Sequence, residues 1–581
     1  MTILNLISFV GGLAFFLYGM NVMSGGLEKI AGGKFEDVLR KMTSNRFTGL
    51  LLGIGISCVI QSSSALTVML VGLVNSGIMN LSQSIGVIMG SNIGTTITAW
   101  LLSLTGIESS NTFVQLLKPD AFSPIFAFIG ILLIMISKNV KRRDIGKIMI
   151  GFAVLMYGME IMGDAVSPLK DSEQFKSILT AFSNPILGVI IGAVFTGIIQ
   201  SSSASVGILQ ALSLTGKIQY GMAIPIIMGQ NIGTCITALI SSIGVNKNAK
   251  RVSAVHMSFN LIGTFVFLII FYTLNAFLKF DFVTENIGPA GIAVVHSIFN
   301  IGTTVILIPF TKQLEKIANF IIKGSDTAED ITILDERLLA TPPVAISRCK
   351  EVTVEMTELA FDSFNRSMNL LSQFNADEAK KIIEDEDKTD KYEDMLGSYL
   401  VKISRRSLSV EDSHKNSNLL LTIGDIERIG DHAANIVKAA QEIKDKQIVF
   451  SPDAVKELEN LSAALKEILD LTFRAFSDED LMVAKSIEPL EQVIDKLKKK
   501  AKNNHIARLQ QDECTIETGF VFNDILTNYA RVADHCSNIA VCLIQVAEDN
   551  FETHQYLNKV KSHGDKSFDE MYDEYTKKYN A

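Results

Sequence analysis

Charged side chains are scarce in the first 320 residues of this 581-residue chain. That part holds 20 of the 53 lysines and arginines and 13 of the 62 aspartates and glutamates, and its apolar runs are long enough to cross a bilayer. This scarcity excludes a soluble globular fold there. The rest has 33 basic and 49 acidic residues, with charges and leucines at helical spacing. The sequence therefore predicts a membrane-embedded part followed by a soluble part.

Other signatures are missing as well. The six cysteines have no CxxC spacing, which excludes the common zinc motifs and predicts free thiols. The chain has no P-loop and no nucleophile with a base at a recognisable catalytic spacing, so we expect no enzyme. Nothing indicates nucleic-acid binding. Transport and sensing remain as the function classes to weigh.

One motif occurs twice in the membrane part. Gln61-Ser62-Ser63-Ser64-Ala65 returns as Gln200-Ser201-Ser202-Ser203-Ala204, at an offset of 139 residues. The same offset places residues 85–99 on 224–238 with 11 of 15 identical. Polar interruptions at matching places in two hydrophobic halves indicate a transporter with its substrate site at the repeat interface. We therefore predict two membrane repeats, 1–140 and 141–322, the second with additional spans.

Apolar segments and basic loops together predict the topology. The segments are 3–23, 47–75, 84–104, 121–137, 146–163, 185–215, 222–243, 253–277 and 288–310. Basic loops face the cytoplasm, and they contain Lys29, Lys34, Arg40, Lys41 and Arg46; Lys138, Lys141, Arg142, Arg143 and Lys147; Lys247, Lys250 and Arg251; Lys312 and Lys316. Three segments separate the first basic loop from the second, and three separate the second from the third. If every segment crossed, consecutive basic loops would lie on opposite sides of the membrane. One segment in each group of three therefore does not cross.

The overlong segments 47–75 and 185–215 carry the Gln-Ser-Ser-Ser motifs at their middles, and we interpret both as re-entrant hairpins. Each half then has an odd number of crossings, which inverts the second copy and places the N-terminus outside the cell. Broken backbone at membrane depth must be buried in protein or line a wet cavity, which favours hairpin tips that meet centrally. The predicted fold class is all-α: a polytopic membrane protein with inverted-topology repeats, then a cytosolic helical bundle.

The hairpin tips have the chemistry of an ion site. Unpaired backbone N–H groups at the start of a helix attract an anion. Serine hydroxyls donate to an oxyanion or coordinate a hard cation, glutamine adds an amide, and this neutral oxygen-rich set suits Na⁺. The alternative is that small residues allow close helix packing, but duplication at both breaks favours binding. The candidate residues are Gln61, Ser62, Ser63, Ser64, Gln200, Ser201, Ser202 and Ser203.

Two further motifs are repeated. Asn92 and Thr95, and their counterparts Asn231 and Thr234, would supply neutral ligands or hold helices together by hydrogen bonds, and both interpretations stay open. The motif Val-His-x-x-Phe-Asn occurs at Val255 and Val295, with His256 and His296 as its histidines. Histidines within spans suggest proton transfer or substrate contact, but near helix ends they are more often packing residues.

These motifs resemble the bacterial type II sodium–phosphate cotransporter family over residues 1–320. The resemblance implies inorganic phosphate as substrate and Na⁺ as coupling ion. It also implies a site between the two hairpins, formed by residues 61–64 and 200–203, with Asn92, Thr95, Asn231 and Thr234 as neighbours.

The soluble part follows a polar linker, 323–343. Amphipathic stretches near 344–373, 376–406, 411–445, 452–476, 480–508 and 513–548 predict six helices in two groups of three. The groups echo each other, because residues 428–435 match 531–538. The region 344–550 resembles the phosphate-uptake regulator (PhoU) family, and we expect the charged tail, 551–581, to be partly disordered.

The PhoU resemblance implies metal binding by acidic pairs spaced four residues apart. A divalent or iron-type cation would relieve their repulsion; the alternative is a solvated acidic face. The candidate ligands are Glu386, Asp390, Glu427, Asp431, Glu491, Asp495 and Asp534. The second copy departs from the pattern, because Ala530 occupies the position that corresponds to Glu427.

Sodium-coupled phosphate transport across the cell (inner) membrane is the function we predict, with the soluble part cytoplasmic. That part would dock a regulatory protein or mediate homo-oligomer formation. The alternatives are a phosphate exporter on the same scaffold and a membrane-tethered phosphate or metal sensor.

Overall fold

The computed structural model describes residues 2–31, 45–106, 119–172, 184–324, 333–406, 408–548 and 566–581. Every regular element in those ranges is a helix, apart from one antiparallel bridge between Gln219 and Asn286. The chain divides into two compact units, Met1–Val344 and Ala345–Ala581. The predicted helical fold class is confirmed. The basic residues Lys34, Arg40 and Lys41 lie outside the described residues.

Long apolar helices build the first unit. They are α1 (Ile3–Ala31), α2 (Arg46–Ile60), α3 (Ser63–Asn75), α4 (Leu81–Ser103), α5 (Pro119–Ile136), α6 (Val140–Val166), α7 (Pro185–Ile199), α8 (Ser202–Ser213), α9 (Tyr220–Ser241), α10 (Lys247–Leu278), α11 (Pro289–Leu307) and α12 (Thr311–Ile321). Among the described residues, 6 helical stretches are long and apolar enough to cross a membrane. On α7, Ile186, Ile190, Val194 and Ile198 form an exposed stripe one turn apart. Such a stripe suits contact with lipid.

Each Gln-Ser-Ser-Ser segment is broken into two helices. In the first copy α2 runs parallel to α4, because the carbonyl of Arg46 lies beside Gly86 and that of Leu50 lies beside Gly90. The chain must therefore return along α3 before α4 begins. Helices α7 and α9 make the corresponding parallel contacts in the second copy. Both broken units return to the level at which they began, which is the path that a re-entrant hairpin requires; insertion into a bilayer stays a prediction.

The helices before the two breaks, α1 and α6, pack antiparallel. A Cβ atom at Gly12 would meet the carbonyl oxygen of Gly158, and one at Gly19 would meet that of Gly151. Gly151 and Gly158 are the counterparts of Gly12 and Gly19 at the offset of 139 residues. Each helix therefore makes the same contact with the other, and a two-fold pseudo-axis relates the two helices. This is the relation that an inverted repeat requires.

Three of the predicted basic loops come together at one face of the unit. Arg46 Nη1 donates to the carbonyl of Ile308, just before α12 (3.4 Å). Asn246, which caps α10, donates its backbone N–H to Asn75 Oδ1 at the end of α3 (2.9 Å). We call this surface the basic face; its described basic residues include Arg46, Lys247, Lys250, Arg251, Lys312 and Lys316.

The segment after the last predicted span differs from the sequence prediction. Lys312 and Lys316 lie on helix α12 and not in a loop. The predicted linker is ordered from Ile333 onward and contains a 3₁₀ turn, Glu336–Ala340, that buries Leu338. The sequence did not predict this ordered segment, because the linker contains many polar residues.

The soluble unit contains all six predicted helices. They are α13 (Pro342–Leu370), α14 (Ala376–Ser404), α15 (Val410–Asp445), α16 (Pro452–Asp478), α17 (Ile487–Gln510) and α18 (Ile516–Glu548). Within the tail that the sequence predicts to be partly disordered, the described residues form α19 (Lys566–Lys578). Tyr579 is buried, and its carbonyl accepts from Asn460 Nδ2 (2.7 Å). One buried aromatic residue thus anchors a segment that its charge made look disordered.

Candidate functional site

The two helix breaks have nearly the same backbone geometry. Gln61 ends α2 with φ 55° and ψ 25°, and Gln200 ends α7 with φ 58° and ψ 22°. This left-handed region is unfavourable for most residues other than glycine. Ser62 and Ser201 are then extended, and each Oγ accepts the backbone N–H three residues on, at 3.1 and 3.2 Å. The sequence duplication is therefore a duplication of one strained turn and one capped helix start.

Each tip has polar groups that make no hydrogen bond within its own helices. The backbone N–H groups of Ser63 and Ser64 precede the first intrahelical bond, from Leu66 N–H to Ser62 O (3.2 Å). Gln61 is 7% exposed, and its Oε1 has no hydrogen-bond partner among the described residues. Gln200 is exposed. A bound group at the first tip would satisfy an amide oxygen that is otherwise buried at a cost.

The Asn-Ile-Gly-Thr signatures lie buried in α4 and α9. Thr95 Oγ1 and Thr234 Oγ1 each donate to the carbonyl four residues earlier, at 2.9 and 3.0 Å. Each hydroxyl proton is thus committed, while the oxygen keeps lone pairs for a donor or a cation. Asn231 Nδ2 also donates to a carbonyl four residues earlier (2.9 Å), whereas Asn92 Nδ2 has no partner among the described residues.

The helices that begin at the two tips each pack against helices of the opposite repeat. Helix α3 of the first repeat packs on α9 and α10, and helix α8 of the second packs on α4 and α11. Gln210 on α8 is fully buried, and its Nε2 donates to the carbonyls of Ala99 (2.9 Å) and Pro289 (3.0 Å). Each returning helix is therefore fixed to the Asn-Ile-Gly-Thr helix of the opposite repeat.

Sequence reasoning missed a layer of buried hydroxyls and amides behind the tips. Ser57 Oγ donates to Ser91 Oγ (2.8 Å) in the first repeat. In the second, Thr196 Oγ1 donates to Ser205 Oγ (2.7 Å), and Gln230 Nε2 donates to Ser205 O (3.1 Å). Thr196 and Gln230 are the counterparts of Ser57 and Ser91 at the same offset. Polar residues at matching places in apolar helices were the signal that could have found them.

The two repeated histidines are buried apart from these tips in sequence, on α10 and α11. His256 and His296 are each 1% exposed, and neither Nδ1 has a partner among the described residues. Asn260 and Asn300 donate to the carbonyls of those histidines, at 3.1 and 2.9 Å. Asn260 Nδ2 also donates to Cys235 Sγ on α9 (3.3 Å), so this asparagine bonds both within its own helix and to a neighbouring one.

Two protein families match the chain. Residues 15–164 and 154–288 match the Na⁺/Pi-cotransporter family, in two copies that follow the observed repeats. The membrane unit therefore contains the Na⁺/Pi-cotransporter domain in two copies. Residues 353–440 and 458–543 match the PhoU domain, also twice. Both resemblances predicted from the motifs are confirmed, and the chain is a membrane protein whose apolar helices carry the match to the transporter family.

Three relatives cover different parts of the chain. The chain is 23% identical over 571 residues to the "Putative inorganic phosphate export protein YjbB" of Escherichia coli O157:H7, covering 96% of this chain and 100% of the relative. It is 26% identical over 212 residues (36% of this chain, 89% of the relative) to the phosphate-specific transport system accessory protein PhoU homolog 1 of Thermotoga maritima. It is 31% identical over 139 residues (23% and 21%) to the sodium-dependent phosphate transport protein 2A of Oryctolagus cuniculus. These transport proteins confirm that the chain is no enzyme.

In the PhoU domain, three predicted metal ligands come together. Carboxylate oxygens of Glu386, Asp390 and Asp431 all lie within 4.8 Å of one another. Partial burial, then Asp431 and Asp390, raise the pKa of Glu427 to about 7. Burial and neighbouring carboxylates also raise the pKa values of Glu386 and Asp390. Crowded carboxylate oxygens of this kind fit a divalent or iron-type cation, which would relieve their repulsion.

The other predicted ligands do not gather in this way. Among the described residues, Glu491, Asp495 and Asp534 form no comparable group. Asp495 pairs with Lys499 (2.6 Å), and Asp534 pairs with Arg531 (3.6 Å). These two carboxylates fit the alternative of an acidic face balanced by neighbouring cations.

The two halves of the PhoU domain meet through their matched segments. His432 Nδ1 lies 2.8 Å from Asn528 Oδ1, and His535 Nδ1 lies 2.7 Å from Asp425 Oδ1. Each pair is the counterpart of the other at an offset of 103 residues. The soluble unit therefore repeats the principle of the membrane unit, a duplicated element packed against its own copy.

Proposed function

We propose that this chain transports inorganic phosphate across the cell membrane together with Na⁺, by alternating access, with both ions bound between the two Gln-Ser-Ser-Ser tips. The family match and the sodium-dependent relative support the two ions. The observation that carries the location is the twofold break, in which a left-handed glutamine precedes a serine-capped helix start.

The chemistry of the tips suits an oxyanion and a hard cation bound together. Free N–H groups and hydroxyls at Ser63 and Ser202 would donate to phosphate oxygens. Residues 47–75 and 185–215 contain no lysine or arginine, so Na⁺ would supply the countercharge. Threonine and amide oxygens are ligands that Na⁺ accepts. Each ion then favours binding of the other, and this mutual dependence is the basis of coupling.

The orientation is part of the proposal. The basic face would lie in the cytoplasm, because short loops rich in lysine and arginine stay inside. The N-terminus would then lie outside and the PhoU domain inside. Protease treatment of sealed cells and of inverted vesicles tests this, since the PhoU domain should be digested in inverted vesicles alone; digestion in intact cells would contradict it.

Replacing the two glutamines by glycine tests the site without disturbing the turn. Gln61→Gly and Gln200→Gly keep the left-handed backbone and remove only the amide. Each should lower sodium-dependent phosphate uptake about tenfold or more, the effect of losing a hydrogen bond to a charged group. Lys279→Gly is the matched control, because Lys279 also has a left-handed φ of 48° at the end of α10. Normal uptake by both glutamine variants would contradict the proposed site.

Export is the second candidate function. The relatives that match both parts of the chain are named as export proteins, whereas the sodium-dependent relative matches over the shorter stretch. Phosphate flux in intact cells and in inverted vesicles, each under a defined Na⁺ gradient, separates import from export. A membrane-tethered sensor would show no flux in either preparation.

We also propose that Glu386, Asp390, Glu427 and Asp431 hold a divalent or iron-type cation in the PhoU domain, where it would order the carboxylates for a regulatory partner or a second copy of the chain. The close approach of three of these carboxylates supports this. Metal content of the purified chain should fall in Asp431→Asn and stay unchanged in the control Asp495→Asn. Equal metal content in both variants would contradict the site.

A further inference from the structure

The ordered part of the linker is fastened to the membrane unit. We call residues 333–341 the strap; it leads directly into α13 of the soluble unit. Leu334, Asp335, Leu338 and Leu339 are 8%, 1%, 0% and 5% exposed. A segment that served only as a tether would have polar, solvated side chains. The burial of these side chains indicates that the strap is packed in a defined position on the membrane unit.

On one side the strap holds the first repeat. Asn75, the last residue of α3, donates from Nδ2 to Asp335 Oδ2 (2.5 Å), and both side chains are buried. One turn earlier, a Cβ atom at Gly72 would meet Leu338 Cδ2 at 3.0 Å. The helix that begins at the first Gln-Ser-Ser-Ser tip therefore ends against the strap.

On the other side the strap holds the second repeat. Arg337 donates from Nε to the carbonyl of Ser241 (2.6 Å) and from Nη2 to that of Ile243 (2.8 Å), at the end of α9. The same guanidinium pairs with Asp335 (3.1 Å). Asp335 and Arg337 thus connect α3 of one repeat to α9 of the other through a single charged pair.

Asn75 also forms direct hydrogen bonds between the repeats. Its Oδ1 accepts the backbone N–H of Asn246 (2.9 Å), and its carbonyl accepts from Asn246 Nδ2 (3.1 Å). Asn246 caps α10 at the basic face. The strap therefore bonds to a residue, Asn75, that itself joins the two repeats at the basic face.

We infer that the strap is a lock on the basic-face gate of the transporter, through which the PhoU domain regulates transport. The inference rests on the proposed alternating-access function, in which the repeats must separate at one face to release the ions. Separation at the basic face would break the bonds of Asn75 or of Arg337, so a docked strap holds that face closed. A conformational change in the PhoU domain that pulled the strap away would release the joint.

Labelling and transport together test the lock. Ser63→Cys places a thiol at the first tip, and a polar maleimide added at the basic face reports how easily that thiol is reached. In this background, Asp335→Ala and Arg337→Ala should each raise the labelling rate at position 63 by about fivefold, the lower end of allosteric coupling. The label is located by peptide mass spectrometry, and Glu336→Gln, an exposed neighbour in the strap, is the matched control. Without the Ser63 substitution, the same strap variants should raise the phosphate transport rate with little change in KM.

A cross-link gives the reverse test. The double variant Asn75→Cys/Asp335→Cys, oxidised to a disulfide, should abolish phosphate flux, and reduction should restore it. Unchanged labelling in the alanine variants, or full flux in the cross-linked chain, would overturn the lock. Labelling does not depend on transport, so a chain that moves no phosphate but shows faster labelling would contradict the proposed function and leave the lock standing.

Discussion

At the scale of single residues, the two left-handed glutamines are the most informative positions. Glycine would adopt the conformation of Gln61 and Gln200 more easily, by about 1–2 kcal/mol. An amide side chain at such a position is therefore better explained by what it binds than by the turn. Of these two glutamines, Gln61 is buried and its Oε1 has no partner among the described residues, whereas Gln200 is exposed. We expect the first tip to lose more affinity than the second when its glutamine is replaced.

The acidic cluster makes stability depend on pH in a direction opposite to that of most carboxylates. Glu427 has its pKa raised from 4.5 to about 7 by burial and by Asp431 and Asp390. Between those two values the folded chain holds a proton that the unfolded chain has released, so stability falls as pH rises through this window. In chain stripped of metal, Glu427→Gln should flatten this fall. Thermal unfolding of the PhoU domain at about pH 5 and about pH 8 measures it.

Metal provides the check on that prediction. A bound cation favours the ionised carboxylates, so saturating metal should remove most of the pH dependence of the wild type. The same unfolding slope in Glu427→Gln and in wild-type chain, both without metal, would contradict the assigned repulsion.

At the scale of elements, the glycines decide how closely the parallel helices pack. A Cβ atom at Gly53 on α2 would collide with the carbonyl of Val87 on α4, whereas one at Gly55 would meet nothing within 4 Å. Gly53→Ala should therefore destabilise the membrane unit by about 1–3 kcal/mol. Gly55→Ala should be neutral or stabilising, because alanine favours a helix by up to about 1 kcal/mol. Thermal unfolding of the full chain in detergent compares them.

The second repeat offers an internal replicate of this comparison. Gly192 is the counterpart of Gly53, and its Cβ atom would collide with the carbonyl of Ile226. Gly192→Ala should match Gly53→Ala. Equal stability of Gly53→Ala and Gly55→Ala would show that close approach of α2 and α4 is not what the glycine serves.

Much of the element order could be predicted because it follows from local chemistry. Charge parity and overlong apolar segments located both breaks, and helical spacing located the six soluble helices. The strap could not be found in this way, because its order comes from contacts with Asn75 and Gly72, distant in sequence. Helix α19 was missed for the same reason, since Tyr579 is buried by other helices.

At the scale of the whole molecule, duplication organises both units. Helices α1 and α6 pack as mutual counterparts in the membrane unit, and His432 and His535 do so in the PhoU domain. In the proposed alternating-access transporter, related repeats would open the site to either side of the membrane, and the ion gradients would set the direction of flux. The same scaffold would therefore serve import or export, and sequence motifs alone do not distinguish the two directions.

The sequence predicts the candidate site to the level of its two motifs and no further. Duplication identified Gln61 and Gln200, because only a repeated interruption stands out within apolar segments. Their difference in burial, and the hydroxyl layer of Ser57 and Thr196, depend on which helices cover each tip. The hydroxyl contacts lie within each repeat, between helices that are separate along the chain, and so they appear only in three dimensions.

Phosphate entry into proteoliposomes tests the central claim most directly. Purified chain is reconstituted, and labelled phosphate uptake is followed under an inward Na⁺ gradient and under an equal K⁺ gradient. The proposed joint site predicts uptake above that of protein-free liposomes with Na⁺ alone, and its loss in Gln61→Gly but not in Lys279→Gly. Equal uptake under both gradients would contradict sodium coupling at the paired tips.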